Sequence, residues 1–327
     1  MCASVTKQFT AFAIMILYEK GLLQLEEKAN RYLPSTMQLP SEITIHHLLS
    51  HTSGLHNNYN FEDDFYVGED RKPYYKEQFF RDWIVRKPIK KPGEVFDNGK
   101  NIIRNKACNY MHDYGELVKA PYINNLYSIG AGALVTNCDD LQKWYECLKN
   151  KNILSERTYE IYFSENKNHY CYGLERYEED GRIKYAHGGD MPGVSAYVQY
   201  YFEEDLCIII ISNTESLDQY RFGNGIAAML HNGQAPVTHR LEEIVLSPED
   251  LEKYTGTYLP GKIHMEQKNG KLYLVRVNQN IHIELYCVGS DSFKRRYEEQ
   301  QGVHRLIADG GGKPSVWGYE LVSKQFL

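Results

Sequence analysis

Ser4 and Lys7 place a hydroxyl and an amine three residues apart in the run SVTK. On a helix such residues share a face, so Ser4 Oγ and Lys7 Nζ can be directed into one cleft. A neutral lysine amine can take the serine proton, and burial lowers a lysine pKa toward that state. The pair has the chemistry of a nucleophile and its base in acyl transfer. A serine at a helix N-terminus also stands beside backbone N–H groups that can stabilise an oxyanion. Spacing alone does not decide it, because Ser164–Lys167 (SENK) repeats the pattern in a polar stretch.

A second group, His187-Gly188-Gly189, ends an alternating run just before Asp190-Met191-Pro192-Gly193. A strand edge without side chains lets an acyl group approach the backbone, and its N–H groups can complete an oxyanion hole. The alternative is a glycine bulge beside a solvated histidine. His46, His47 and His51 form no complete ligand set. His46 and His47 read as ordinary helix residues, and no metal or cofactor is implied.

The elements that must position these groups follow from periodicity. Residues 4–20 are apolar almost throughout and meet Gly21, which predicts a buried helix with a glycine stop. Residues 24–34 are amphipathic and end at Pro34, and 43–55 (ITIHHLLSHTSGL) predicts a short strand or turn, a helix and a Ser-Gly loop. Residues 56–80 read as a loop with aromatic anchors, and 79–96 as a short helix broken by Pro88. An amphipathic helix is expected at 139–150, its first-turn carboxylates complementing the helix dipole. Two alternating runs around Asp180-Gly181 predict a hairpin. A second hairpin is expected over 193–213, and its outgoing run Leu206–Ile211, wholly apolar, predicts a central strand. A helix follows at 222–233. Ser247-Pro248-Glu249-Asp250 is a helix start. From 254 onward short strands alternate with turns, the pattern of a small all-β appendage such as a barrel. The expected division is 1–240 and 247–327.

Composition sets outer limits. A chain of 327 residues holds about two domains. A net charge of −6 gives no electrostatic reason to expect nucleic acid or an anionic membrane. No apolar run approaches the roughly 20 residues of a membrane-spanning helix. Seven scattered cysteines with no C-x-x-C pair argue for buried free thiols in a reducing compartment. No basic n-region or cleavage site precedes Ser4, so the default address is cytoplasmic.

In order along the chain, SVTKQFTA, ITIHHLLSHTSGL, GALVTNCDDLQKW, YAHGGDMPGVSAYVQYYFEED and IIIISN resemble the serine β-lactamase-like superfamily. This group comprises class C β-lactamases, DD-peptidases and their esterase and peptidase relatives. S-x-x-K is a signature of this chemistry, and His187-Gly188-Gly189 matches an H-x-G form of its third box. The tail from about 247 resembles the small β domain often appended to these enzymes. The resemblance implies an α/β (α+β) fold of helices on an antiparallel sheet. It implies Ser4 as the acylated nucleophile and Lys7 as its base. His187, Gly188 and Gly189 would line the acyl pocket, with backbone N–H groups of Ser4 and of a residue near Gly189 forming the oxyanion hole. His51, Ser53 and Gly54 would have structural roles near the cleft. The implied substrate is an ester or amide, small molecule or peptide, in preference to a β-lactam.

Two features depart from the family pattern. The family carries strands before its S-x-x-K, where this sequence has three residues, and relatives are often exported, so a signal peptide lost with those strands would change the address. The family also carries a Y-x-N box soon after a segment like PGEVF (92–96), whose tyrosine relays protons. Here Asn98 follows with no such tyrosine, and the only Y-x-N triplet is Tyr122-Ile123-Asn124, a weak candidate for the role. The alternative function is therefore a degenerate, non-catalytic homologue that binds peptide or cell-wall fragments.

Overall fold

The computed structural model describes residues 1–35, 38–55, 105–121, 128–233, 241–258, 263–276, 280–297, 304–308 and 314–318. They form two compact units. The first takes the described residues up to 55, then 105–106 and 128–211; the second takes 107–121 and the described residues from 212 onward.

In the first unit a 3-10 turn, Ala3–Val5, leads directly into helix α1, Thr6–Glu19. The run is apolar on the face that buries Ala11, Phe12 and Met15. Its end is the predicted glycine stop. Gly21 adopts φ +68°, the Gly21 N–H donates to Tyr18 O, and the Leu22 N–H donates to Leu17 O. That double bond satisfies carbonyls left open by the helix end. Residues 24–34 form no more than a 3-10 turn, Ala29–Arg31. Their backbone is engaged elsewhere: Ala29 N–H donates to Ile43 O, Ile45 N–H to Glu27 O and His46 N–H to Leu25 O. These ties are strand-like and leave no groups for a helical ladder. Helix α2, Ile45–Leu49, starts from a capping box in which Thr44 Oγ1 accepts from His47 N–H and His47 Nδ1 accepts from Thr44 N–H.

Helix α3, Cys138–Asn150, is capped by Asn137, and α4, Glu156–Phe163, by Ser155. Trp144 of α3 lies 4.4 Å from the Phe9 ring and 5.0 Å, edge-on, from Phe12. Phe12 meets Tyr162 of α4 edge-on at 5.4 Å. These rings close the core around α1.

The sheet of this unit has strands β3 (Glu175–Glu179), β4 (Arg182–Met191), β5 (Val194–Tyr201) and β6 (Leu206–Ser212) in that spatial order. The described strands of the second unit include β1 and β2, treated below. Asp180 and Gly181 turn the β3–β4 hairpin with φ of +51° and +75°, as their sequence predicts. Where the apolar run Leu206–Ile211 predicts a central strand, β6 stands at one end of the order among the described strands. Ile208 and Ile210 are buried on one face, and Cys207, Ile209 and Ile211 of the other pack on the core. An all-apolar run reports coverage of the two faces, not rank in the sheet. The fully buried strand is β5, which carries Ser195 and Gln199 within its run.

In the second unit, β1 (Tyr110–Asp113) and β2 (Glu116–Lys119) form an antiparallel hairpin. Helix α5 is Gln219–Asn232, capped by Asp218 and stopped by Gly233 at φ +71°. Helix α6, Pro248–Glu252, begins at the predicted Ser247 cap. Seven strands follow as an antiparallel sheet: β7 (Gly256–Tyr258), β8 (Ile263–Lys268), β9 (Lys271–Arg276), β10 (Ile281–Gly289), β11 (Ser292–Arg295), β12 (His304–Ala308) and β13 (Pro314–Gly318). The end strands β13 and β7 approach one another, so the sheet curls toward closure. Met111 of β1 is fully buried with Met265, Leu272, Ile283 and Phe293 of this sheet. Asp113 accepts from the His282 backbone N–H at 2.8 Å, and Tyr114 stacks on the His282 ring at 4.0 Å.

Candidate active site

Ser4 lies in the 3-10 turn and Lys7 in the first turn of α1. Lys7 Nζ stands 2.6 Å from Ser4 Oγ and 3.4 Å from Ala131 O. The amine is largely enclosed, and burial lowers its pKa from 10.5 to about 8. A substantial fraction is neutral just above neutrality, able to accept the Ser4 proton. Ala3, immediately before Ser4, is fully buried with φ +44°. A non-glycine residue in this region stores backbone strain of order 1–3 kcal/mol, held only because surrounding contacts impose it.

Those contacts are visible on three sides. The segment 128–134 wraps the start of α1. The Cys2 N–H donates to Leu134 O at 3.1 Å, Thr10 Oγ1 donates to Gly130 O at 2.6 Å, and Thr6 Oγ1 accepts from the Leu134 N–H at 3.3 Å. Strand β4 closes a second side. A β-carbon built on Gly189 would stand 2.5 Å from Cys2 O and 2.8 Å from Ser4 N. Gly173 closes the third, with φ +75° and space for no side chain: its β-carbon would stand 2.6 Å from Gln8 Cα and 2.7 Å from Lys7 O.

Beneath the pair, Gln8 is fully buried. Its Oε1 accepts from Trp144 Nε1 at 2.7 Å and from Tyr200 Oη at 3.2 Å, and its backbone carbonyl accepts from Tyr162 Oη at 3.2 Å. The first turn of α1 is therefore pinned to α3, α4 and β5 by directed bonds as well as by packing.

His187 sits on β4 two residues before Gly189, on the same face of the strand. It is buried, and its two ring nitrogens have fixed roles. Nδ1 donates to Gly188 O at 2.6 Å, which leaves Nε2 as the acceptor for the Tyr170 hydroxyl at 3.1 Å. Burial first, then the charges of Lys7 and His51, lower its pKa to about 4, so it is neutral at pH 7. His51 meets Tyr170 edge-to-face at 4.7 Å, and its pKa is lowered by burial and by Lys7. Ser4, Lys7, His187, Gly188 and Gly189 are thus brought into one neighbourhood. Tyr122 lies outside the described residues, as do the expected features of 56–80 and 79–96.

The competing S-x-x-K has none of these surroundings. Ser164 is the exposed C-cap of α4, donating to Glu160 O at 2.5 Å, and Lys167 is exposed on the following loop. His46 Nδ1 pairs with Tyr172 Oη at 2.6 Å, and His47 is spent on the Thr44 cap. Ser53 Oγ accepts from Leu55 N–H at 3.4 Å, and Gly54 turns with φ +70°. Of the seven cysteines, expected to be buried, Cys2, Cys171 and Cys287 are; Cys108 and Cys138 are exposed. Gly173 and the Ala131 carbonyl have no distinguishing signal in the sequence, because each reaches the site through contacts more than a hundred residues apart in the chain, and Tyr170 reaches it through His187 on the neighbouring strand.

Residues 1–100 match the model of the family described as Beta-lactamase. Penicillin-binding protein 4* of Bacillus subtilis (strain 168) is 25% identical over 362 aligned positions, covering 87% of this chain and 77% of that protein. The octameric penicillin-binding protein homologue from Pyrococcus abyssi shares the fold with a TM-score of 0.56 at 21% identity, over 96% of this chain and 82% of that one. A D-stereospecific amidohydrolase from Streptomyces sp. shares it with a TM-score of 0.55 at 16% identity, over 72% of this chain and 86% of that one. The fold is that of the serine β-lactamases and penicillin-binding proteins. The family model and the homologue are similarities to the serine β-lactamase-like superfamily, and the solved structures share its fold. None of the described helices is long and apolar enough to cross a membrane.

Proposed function

We propose that this chain is a serine hydrolase that cleaves an ester or amide, small molecule or peptide, through an acyl-Ser4 intermediate. One observation carries this reading: Lys7 Nζ lies 2.6 Å from Ser4 Oγ, with its amine held toward neutrality by burial. Neutral Lys7 takes the Ser4 proton as Oγ bonds to the substrate carbonyl carbon. The resulting ammonium then protonates the leaving alcohol or amine. Gly189, having no side chain, lets β4 approach the start of α1 closely, and the backbone N–H groups near Ser4 are the candidate site for the oxygen of the acyl group.

The test is intact mass after exposure to a fluorophosphonate, beside a Ser4→Ala control. A single adduct that vanishes in the control supports the reading. No adduct on a sample with a cooperative melt overturns it, and the non-catalytic binding role then stands in its place.

A further inference from the structure

Proton transfer from Ser4 to Lys7 depends on where the amine points as well as on its charge. A neutral amine has two N–H bonds and one lone pair, and only the lone pair can take the Ser4 proton. Ala131 O stands 3.4 Å from Lys7 Nζ. A carbonyl oxygen only accepts, so that direction takes an N–H and refuses the lone pair. The lone pair is left free to face Ser4 Oγ, 2.6 Å from the same nitrogen.

The Ala131 carbonyl is held in turn from α1. Thr10, three residues on from Lys7, shares its side of the helix, and Thr10 Oγ1 donates to Gly130 O at 2.6 Å. Gly130 and Ala131 belong to one tight turn, with Gly130 at φ +72°. The N–H groups of Ala131, Gly132 and Ala133 converge there on Ser128 O at 2.9, 2.6 and 3.1 Å. A turn tied that closely moves as a piece, so an anchor on the Gly130 carbonyl fixes the next carbonyl as well. Thr6 also grips this segment, accepting from the Leu134 N–H at 3.3 Å, but its hydroxyl donates to Ala3 O at 2.6 Å and so serves the Ser4 turn directly. Thr10 acts on the Gly130 turn alone among the described residues.

Resting on the acyl-Ser4 reading, we infer that Thr10 is a positioning residue: it holds the Ala131 carbonyl on the Lys7 amine and so turns the amine lone pair toward Ser4 Oγ. The titratable groups that the Lys7 charge reaches are His187 of β4 and His51 at the end of α2. Thr10 carries no charge, so a change there alters the surroundings of Lys7 without adding or removing one.

The experiment follows the rate of fluorophosphonate labelling of Ser4 against pH for the intact chain, Thr10→Val and Thr10→Ser. For the intact chain the rate should rise through a midpoint of about 8, where the Lys7 amine loses its proton. A carbonyl acceptor favours the ammonium over the amine, so its withdrawal lowers that midpoint. Thr10→Val keeps the shape and loses the hydroxyl. It should show a lower midpoint and a plateau reduced about 10-fold. Thr10→Ser keeps the hydroxyl and should retain both values. Thr10→Ala removes the same hydroxyl and favours the helix, so it should repeat the valine result. A helix that is merely loosened would admit water to the amine and raise the midpoint toward that of an ordinary lysine, and that outcome overturns the inference. A midpoint and plateau unchanged in Thr10→Val and Thr10→Ala also overturn it and leave the acyl-serine reading intact. No labelling of Ser4 in the intact chain overturns both.

Discussion

Gly189 approaches the start of α1 so closely that a β-carbon there would stand 2.8 Å from the Ser4 nitrogen and 2.5 Å from Cys2 O. Both obstacles are backbone, and the turn is already held by the Cys2 N–H bond to Leu134 O and the Thr6 hydroxyl bond to Ala3 O, so it has little room to retreat. Gly189→Ala is expected to cost about 1–3 kcal/mol of stability. It should also reduce Ser4 acylation by more than the melt explains, because it displaces the proposed nucleophile. Fluorophosphonate labelling rate and melting temperature, measured together, check this. A variant that labels at the original rate would separate the β4 edge from the chemistry.

Gly173 acts on the same turn from the opposite direction. Its φ of +75° already disfavours a side chain, and an added β-carbon would meet Gln8 N at 2.7 Å and Gln8 Cα at 2.6 Å. Gly173→Ala should therefore destabilise more than Gly181→Ala, where φ is also +75° but nothing lies within 4 Å. Strain alone accounts for about 1 kcal/mol in either variant, and the excess at Gly173 measures the contact with α1. Chemical denaturation of the two variants gives the comparison. Equal losses would mean that α1 yields freely there.

Much of this arrangement is legible in the sequence wherever the determining contact is local. S-x-x-K at the head of an apolar run puts Ser4 beside Lys7 because helical spacing alone brings them together. Asp180-Gly181 and Asn269-Gly270 turn hairpins because both residues of each pair tolerate positive φ, as observed. The β1–β2 hairpin escapes the same rule, since its turn is made by Tyr114 and Gly115 at φ +49° and +86°. Tyrosine at that position is held by tertiary contact, through its stack on His282 and its bond to Glu266 at 2.6 Å. The surroundings that separate Ser4–Lys7 from Ser164–Lys167 are likewise long-range. Burial of one amine and exposure of the other depend on Ala131, Gly173 and Gly189, which spacing along the chain does not connect.

Lys7 carries an energetic cost beside its proposed role. Its amine is protonated in the unfolded chain up to about pH 10.5 but in the folded chain only up to about 8. The unfolded state therefore binds more protons between those values, and stability rises with pH across that window. At pH 7 the folded protein bears the full penalty of a buried ammonium. Lys7→Met, similar in length and uncharged, should then be more stable than the original by about 1–3 kcal/mol at pH 7. The advantage should shrink toward pH 10.5, and Ser4 labelling should be lost. Denaturation at pH 7 and pH 10 tests the sign, and a variant less stable at pH 7 would contradict the desolvated amine.

The acid limb belongs to His187. Its pKa falls from 6.5 to about 4 on folding, chiefly through burial. Between these values the unfolded chain takes up a proton that the folded chain refuses. The stability is fully present above pH 6.5 and drains away as the pH falls toward about 4. One residue shifted by that much accounts for at most about 3 kcal/mol. His187→Gln, which retains a side-chain acceptor for Tyr170, should flatten the decline without abolishing it, because His51 is shifted in the same direction and remains. Melting temperatures at pH 7, 5.5 and 4.5 for the two proteins provide the measurement. Parallel declines would show that His187 titrates as it does in the unfolded chain. The Tyr170–His187–Gly188 alignment would then not be holding the imidazole neutral beside Lys7.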